Sequence, residues 1–173
     1  MDIVLRPWNH KDLEDLHSFA NHELIANHLP DTFPHPYTLQ DASDFIAFAQ
    51  TTEKDFILAV EWNYKAIGSI GLHFQKDIYC KNAEIGFWLA VPFWQRGIMS
   101  FAISKMVDIA FDTYPIERVY AKSFGTNLAS QRVLEKNGFF LEAILKKVIF
   151  KNNSFQDEYI YSIHREQWQS RKI

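Results

Sequence analysis

The run Glu84-Ile85-Gly86-Phe87-Trp88-Leu89-Ala90-Val91-Pro92-Phe93-Trp94-Gln95-Arg96-Gly97-Ile98-Met99-Ser100 changes character twice. It opens as an apolar strand and breaks at Pro92. It then passes Gly97 into a helix rich in Ile, Ala, Met and Phe that runs to Phe111. A strand leading through a short loop into a helix leaves first-turn N–H groups unpaired at the positive end of the helix dipole. Such a terminus binds phosphate readily. Gly97 lets the backbone come close to an anion, and Arg96 adds a full charge. The run is neither G-x-x-x-x-G-K-[ST] nor G-x-G-x-x-G, which argues against a triphosphate loop and a dinucleotide fold. On these residues alone an ordinary strand-to-helix turn is an equal reading.

The flanking sequence alternates helices and strands. Asn9, with Asp12 after it, caps a helix carrying Leu13, Leu16, Phe19 and Ala20. Pro30, Pro34 and Pro36 mark an irregular loop over 29–37. Thr38 with Asp41 opens a second helix, with Leu39, Ala42, Phe45, Ile46 and Ala49 as its apolar stripe. Strands are expected at 56–61, 66–74 and 80–91 as an antiparallel meander, with a turn at Asn63-Tyr64. A strand over 118–124 and a helix over 127–137 follow, with Gly138 as a left-handed cap. Strands at 141–150 and 158–164 close a hairpin around Lys151-Asn152-Asn153. The strand-helix-strand piece at 82–124 predicts a parallel, right-handed crossover. No linker interrupts the series, so 1–173 reads as one α/β domain.

Composition narrows the function. The net charge of −3 gives no overall case for nucleic acid or an anionic membrane. The halves differ: residues 1–90 carry a net −7 and residues 91–173 a net +4. The single cysteine, Cys80, excludes an internal disulfide and a cysteine-cluster metal site. The seven His are scattered without zinc-ligand spacing, so no metal is expected. The N-terminus lacks a signal-peptide pattern, and no stretch approaches the roughly 20 apolar residues that span a bilayer. A soluble, cytoplasmic protein is the expectation.

Three strings carry a family resemblance. They are Ala83-Glu84-Ile85-Gly86-Phe87-Trp88-Leu89, then Phe93-Trp94-Gln95-Arg96-Gly97-Ile98-Met99-Ser100, and Asn127-Leu128-Ala129-Ser130 followed by Leu134-Glu135-Lys136-Asn137-Gly138-Phe139. With the order of elements, they resemble the GNAT acetyltransferases, in the branch of ribosomal-protein N-terminal acetyltransferases and their small-molecule relatives. The resemblance runs from Leu5-Arg6-Pro7 to Arg165-Glu166-Gln167-Trp168. It implies a mixed, mostly antiparallel sheet of about seven strands with a splayed parallel pair, flanked by about four helices. In the family's phosphate motif, Q/R-x-x-G-x-G/A, Trp94 takes the first position. Met99 stands where a small residue is expected, which predicts a reshaped cofactor groove.

The resemblance implies acetyl-CoA as donor. Its pyrophosphate would meet backbone N–H groups of Gln95, Arg96, Gly97, Ile98, Met99 and Ser100, and its pantetheine arm the strand end at Leu89, Ala90 and Val91. N–H groups of the same strand end would face the developing oxyanion. Arg96, Arg132 and Lys136 suit the CoA phosphates, although Arg132 and Lys136 equally suit a solvated helix face. Asn127 either caps its helix or bonds the pantetheine arm. Ser130 is the catalytic hydroxyl that stabilises or relays a proton, or else a helix-start serine. Glu84 is the candidate general base with a structural carboxylate as its alternative, and His73 is a lesser candidate. No covalent enzyme intermediate is implied, so Cys80 is expected to be non-catalytic. The acceptor is an amine, either a protein N-terminus or a small molecule. Asp31, His35, Tyr37, Asp157, Glu158 and Tyr161 are the polar candidates to hold it. Homodimers are common in the family. The competing class is a GNAT-fold module that binds CoA without turnover.

Overall fold

The protein is described by a computed structural model, which covers residues 3–171. Its strands are β1 (Ile3–Arg6), β2 (Asp55–Trp62), β3 (Lys65–Phe74), β4 (Asn82–Leu89), β5 (Arg118–Phe124), β6 (Phe140–Lys151) and β7 (Ser154–His164). Its α-helices are α1 (Leu13–Ala20), α2 (Glu23–Ala26), α3 (Leu39–Thr51), α4 (Ile98–Thr113), α5 (Leu128–Lys136) and α6 (Arg165–Ser170). The strands form one sheet in the order β1-β2-β3-β4-β5-β7-β6. The pairs β1·β2, β5·β7 and β6·β7 are antiparallel. The expected parallel pair is β4·β5, and its crossover contains α4. The parallel ladder covers 82–84 against 118–120, while β4 runs on to Leu89 and β5 to Phe124.

Two helices fall outside the expected set, α2 with four residues and α6 with six. Both are too short for a hydrophobic period to declare itself. The strand expected over 80–91 begins at Asn82, after a 3-10 turn at Asp77–Tyr79.

The described chain falls into two compact units, residues 3–71 with Phe87–Ala102, and Leu72–Gly86 with residues 103–171. In the first, the Asn9 side chain accepts from Lys11 N–H at 3.0 Å, and the Asp12 carboxylate accepts from Asn9 N–H at 2.9 Å. Arg6 grips that same carboxylate with both Nη atoms, at 2.7 and 2.8 Å. The capping box at Thr38 and Asp41 forms as the sequence predicts. Trp8, Leu16, Ala20, Tyr37, Ala42, Ile46 and Ile57 bury one another, with Trp8 edge-on to Phe45 at 5.5 Å. Asn63 and Tyr64 take the left-handed turn conformation, with φ of 50° and 63°. Gly68 is required by close approach, since a Cβ there would lie 2.5 Å from the Trp88 carbonyl oxygen.

In the second unit, Trp168 packs on Phe111 at 5.3 Å and donates its indole N–H to Asp108 at 2.8 Å. Arg165 donates to the carbonyls of Phe111, Tyr114 and Ile116. Asn152 and Asn153, at φ of 51° and 56°, turn the closing hairpin. Gly138 is left-handed at φ 78°, and the Arg171 fork closes over the Asn137 and Gly138 carbonyls at 2.7 and 3.0 Å. Among the described residues no helix is long and apolar enough to cross a membrane, and no three His, Cys, Asp or Glu gather as metal ligands. Cys80 is free and exposed.

Candidate active site

The end of β4 passes through a 3-10 turn at Val91–Phe93 and a short loop into α4. Its carbonyls are already engaged. Leu89 C=O accepts from the Trp94 indole at 2.7 Å, Ala90 C=O from Phe93 N–H at 3.0 Å, and Val91 C=O from Trp94 N–H at 3.2 Å. Ala90 N–H donates to Ile67 C=O at 2.8 Å. Of the expected oxyanion and pantetheine contacts, the Ala90 N–H is therefore committed within the fold. Each carbonyl retains a second lone pair.

The loop carries two left-handed residues, Gln95 at φ 60° and Gly97 at φ 76°. For Gln95 this conformation costs about 1–3 kcal/mol. A Cβ built on Gly97 meets nothing within 4 Å, so the loop is open to solvent on that side. The Arg96 guanidinium lies over the Trp62 ring at 5.6 Å and the Phe93 ring at 6.0 Å. That cation–π seat is one the sequence reading did not foresee. Met99 is buried, in one broad stripe with Ile98, Ala102, Ile103 and Met106. Its side chain therefore lies on the core-facing side of α4.

The second cluster stands on the β5–α5 connection. Asn127 caps α5, its side-chain oxygen accepting from Ser130 N–H at 3.1 Å. That bond uses the backbone of Ser130 and leaves its hydroxyl outside the cap. Arg132 and Lys136 are both exposed on α5.

Glu84 sits on β4 opposite Tyr120 in the parallel register. Its carboxylate pairs with Lys122 Nζ at 3.1 Å and bonds the Tyr120 hydroxyl. Burial, followed by the charge of Glu84, pushes the Tyr120 phenol up to about 12. Glu84 thus has two polar partners, Lys122 and Tyr120, that its own strand does not reveal. Strand periodicity puts 118, 120 and 122 on one face, but the register that brings this face to Glu84 is tertiary. His73 lies close to Gly86, its Nε2 3.3 Å from where a Cβ would be.

Of the acceptor candidates, Asp31 and His35 are exposed in the loop before α3. Tyr37 is buried, its ring 4.9 Å from Phe33, and burial pushes its phenol up to about 12. Tyr161 is buried too, its hydroxyl donating to Glu135 at 3.0 Å. Both rings are covered in this structure, whereas Asp31 and His35 are open. Asp157 accepts from Lys146 Nζ at 2.9 Å and Lys147 N–H at 3.0 Å, and the Lys146 bond holds its carboxyl below the usual range. Lys147 is left-handed at φ 57° within the irregular β6·β7 register, so Asp157 secures a bulge. Glu158 lies on β7 opposite Phe124 and Leu145.

The acetyltransferase (GNAT) domain model matches residues 2–140 of the sequence. The chain belongs to the GNAT acetyltransferase family. The uncharacterized N-acetyltransferase YoaA of Bacillus subtilis (strain 168) is 36% identical over 97 residues, 56% of this chain and 54% of that protein. The ribosomal-protein-serine acetyltransferase of Escherichia coli (strain K12) is 33% identical over 82 residues, 47% of this chain and 46% of that one. Each of these matches spans about half of the curated relative's length. Among solved structures, the microcin C7 self-immunity acetyltransferase MccE, in complex with acetyl-CoA and AMP, superposes with a TM-score of 0.80 at 28% identity. That superposition covers 94% of this chain and 92% of MccE. The GNAT fold expected from the sequence is therefore the fold observed.

Proposed function

We propose that this GNAT protein is a single-domain, cytoplasmic N-acetyltransferase that moves an acetyl group from acetyl-CoA to a primary amine. The observation that carries the reading is the loop entering α4, where left-handed Gln95 and Gly97 precede a helix N-terminus. Alternating left-handed residues before a helix turn successive N–H groups toward one point, which suits an anion such as the CoA pyrophosphate. The MccE structure, with acetyl-CoA bound, supports the same ligand. Acetyl-CoA supplies a thioester carbonyl that an amine attacks directly. The chain's own residues then do three things in this reading. The N–H groups of 95–100 hold the donor by its phosphates. Glu84 accepts a proton as the amine becomes nucleophilic, since an α-amino group titrates near pKa ~8 and an alkylamine near ~10. Ser130 offers a hydroxyl to the departing thiolate.

The acceptor class is an amine on a protein N-terminus or a small molecule, with exposed Asp31 and His35 as its first contacts. A homodimer would cover the exposed apolar side chains of β6, including Val148 and Phe150, and light scattering reads that state directly. The test of the activity is thiol release from acetyl-CoA across a panel of amines and N-terminal peptides, beside a CoA melting titration. Release with one acceptor and a raised melting temperature support the reading. A flat CoA titration to millimolar overturns it. The Glu84–Lys122 pair favours a second reading, a CoA-binding module without turnover, which a CoA shift with no thiol release on any acceptor would identify.

A further inference from the structure

Two exposed side chains of the loop before α4 fold back on their own unit. The Trp94 indole N–H reaches the Leu89 carbonyl at 2.7 Å, spanning the turn between the strand end and the loop. Arg96 rests on the rings of Trp62 and Phe93, and Phe93 is itself edge-on to Phe19 at 5.5 Å and to Trp62 at 5.4 Å. Between these two attachments stands Gln95, the loop's non-glycine residue with a left-handed backbone. A strained residue keeps such a conformation only where its surroundings over-determine it. The attachments on either side are those surroundings. Trp94 also has direct leverage: its ψ of 158° and the φ of Gln95 flank a single peptide plane. Fixing the indole fixes how that plane is turned.

We propose that Trp94 is the positioning residue of this loop, its indole bond to Leu89 holding Gln95 left-handed and so keeping the anion cradle preformed. The inference rests on the reading of the loop as a CoA pyrophosphate site. It adds a role for the side chain standing at the first position of the phosphate motif. That side chain braces the backbone and does not touch the ligand. Arg96 acts as the second clamp, and its guanidinium is seated on rings.

The test removes the donor and keeps a ring. Trp94→Phe is expected to weaken CoA binding, read by calorimetry, roughly three- to tenfold, the worth of one neutral hydrogen bond. Adding Gln95→Gly is expected to recover most of that loss, because glycine takes the left-handed form without a brace. Gln95→Gly alone is the reference for the double variant, and Trp94→Phe is expected to cost less affinity on that background than in the wild type. A Trp94→Phe protein that binds CoA normally overturns the proposal, and so does a loss that Gln95→Gly leaves untouched. A ligand-free readout separates this inference from the functional reading. The backbone coupling of Gln95 by NMR reports a left-handed φ in the wild type and its departure in Trp94→Phe. An unchanged coupling overturns the brace. Failure of the wild type to bind CoA overturns the pyrophosphate reading, and the coupling still decides the brace.

Discussion

Lys122 Nζ stands 3.1 Å from a Glu84 carboxylate oxygen, reaching from β5 to its parallel neighbour β4. The pair is part-exposed, with 44% of the Lys122 and 27% of the Glu84 side chain open to solvent. Such pairs contribute about 1 kcal/mol or less to stability. The arrangement therefore separates the chemistry of Glu84 from its structural worth. Glu84→Gln is expected to lower turnover roughly a hundredfold with little change in melting temperature or CoA affinity. Thiol release beside calorimetric titration checks this, and parallel losses of turnover and affinity would contradict it.

Asn127 and Ser130 touch through side chain and backbone, which makes their substitutions separable. Asn127→Ala removes the α5 cap and is expected to cost about 1 kcal/mol of stability. Ser130→Ala leaves the cap intact, because the donor is the backbone N–H. It is expected to lower turnover without moving the denaturation midpoint. A midpoint shift in Ser130→Ala as large as that in Asn127→Ala would assign Ser130 a purely structural role.

Gly97 has space but not conformational freedom. A Cβ there meets no neighbour within 4 Å, whereas φ is 76°. Gly97→Ala is therefore expected to cost about 1–2 kcal/mol through the backbone alone. Thermal melting and CoA titration should both register the change. An unchanged affinity would detach the loop from the ligand.

Three tyrosines set an alkaline limit. Burial comes first in raising each phenol to about 12, with added charge from Asp41 for Tyr37 and from Glu84 for Tyr120, and a hydrogen bond to Glu135 for Tyr161. The folded protein then holds these protons more tightly than the unfolded chain, where a phenol titrates near ~10. Their contribution is complete below pH ~10 and falls away as pH rises toward 12. Phenolate absorbance compared between the wild type and the Tyr37→Phe, Tyr120→Phe and Tyr161→Phe variants should show each of these three phenols titrating above the free range. Titration of these three near ~10 would refute the environments described.

The sequence made visible whatever depends on neighbours along the chain. Asn9 and Asp12, Thr38 and Asp41, and Asn127 with Ser130 all bond as their spacing predicts. The strand-to-helix run at 84–100 and the left-handed Gly138 were equally plain. What stayed hidden depends on register and on which way a side chain turns. Tyr120 and Lys122 meet Glu84 only because β4 and β5 pair at 84 and 120. Tyr161 reads as a polar residue on a closing strand, yet the alternation of β7 turns it inward to Glu135. Asp157 looks like a free acid until the bulge at Lys147 claims it.

The connection into α5 is tied to the closing hairpin as well as to its own strand, whose Phe124 carbonyl accepts from Asn127 N–H at 2.9 Å. Gly125 N–H donates to Asp157 C=O at 2.8 Å, Thr126 bonds Gln156 at 2.9 Å, and Tyr161 reaches Glu135 at 3.0 Å. A side chain at Gly125 would meet Tyr159 at 3.1 Å. These bonds couple the hairpin to the helix bearing Ser130. If Ser130 acts as proposed, replacements along β7 are expected to alter turnover through the placement of that helix, with the proposed reactive groups themselves unchanged.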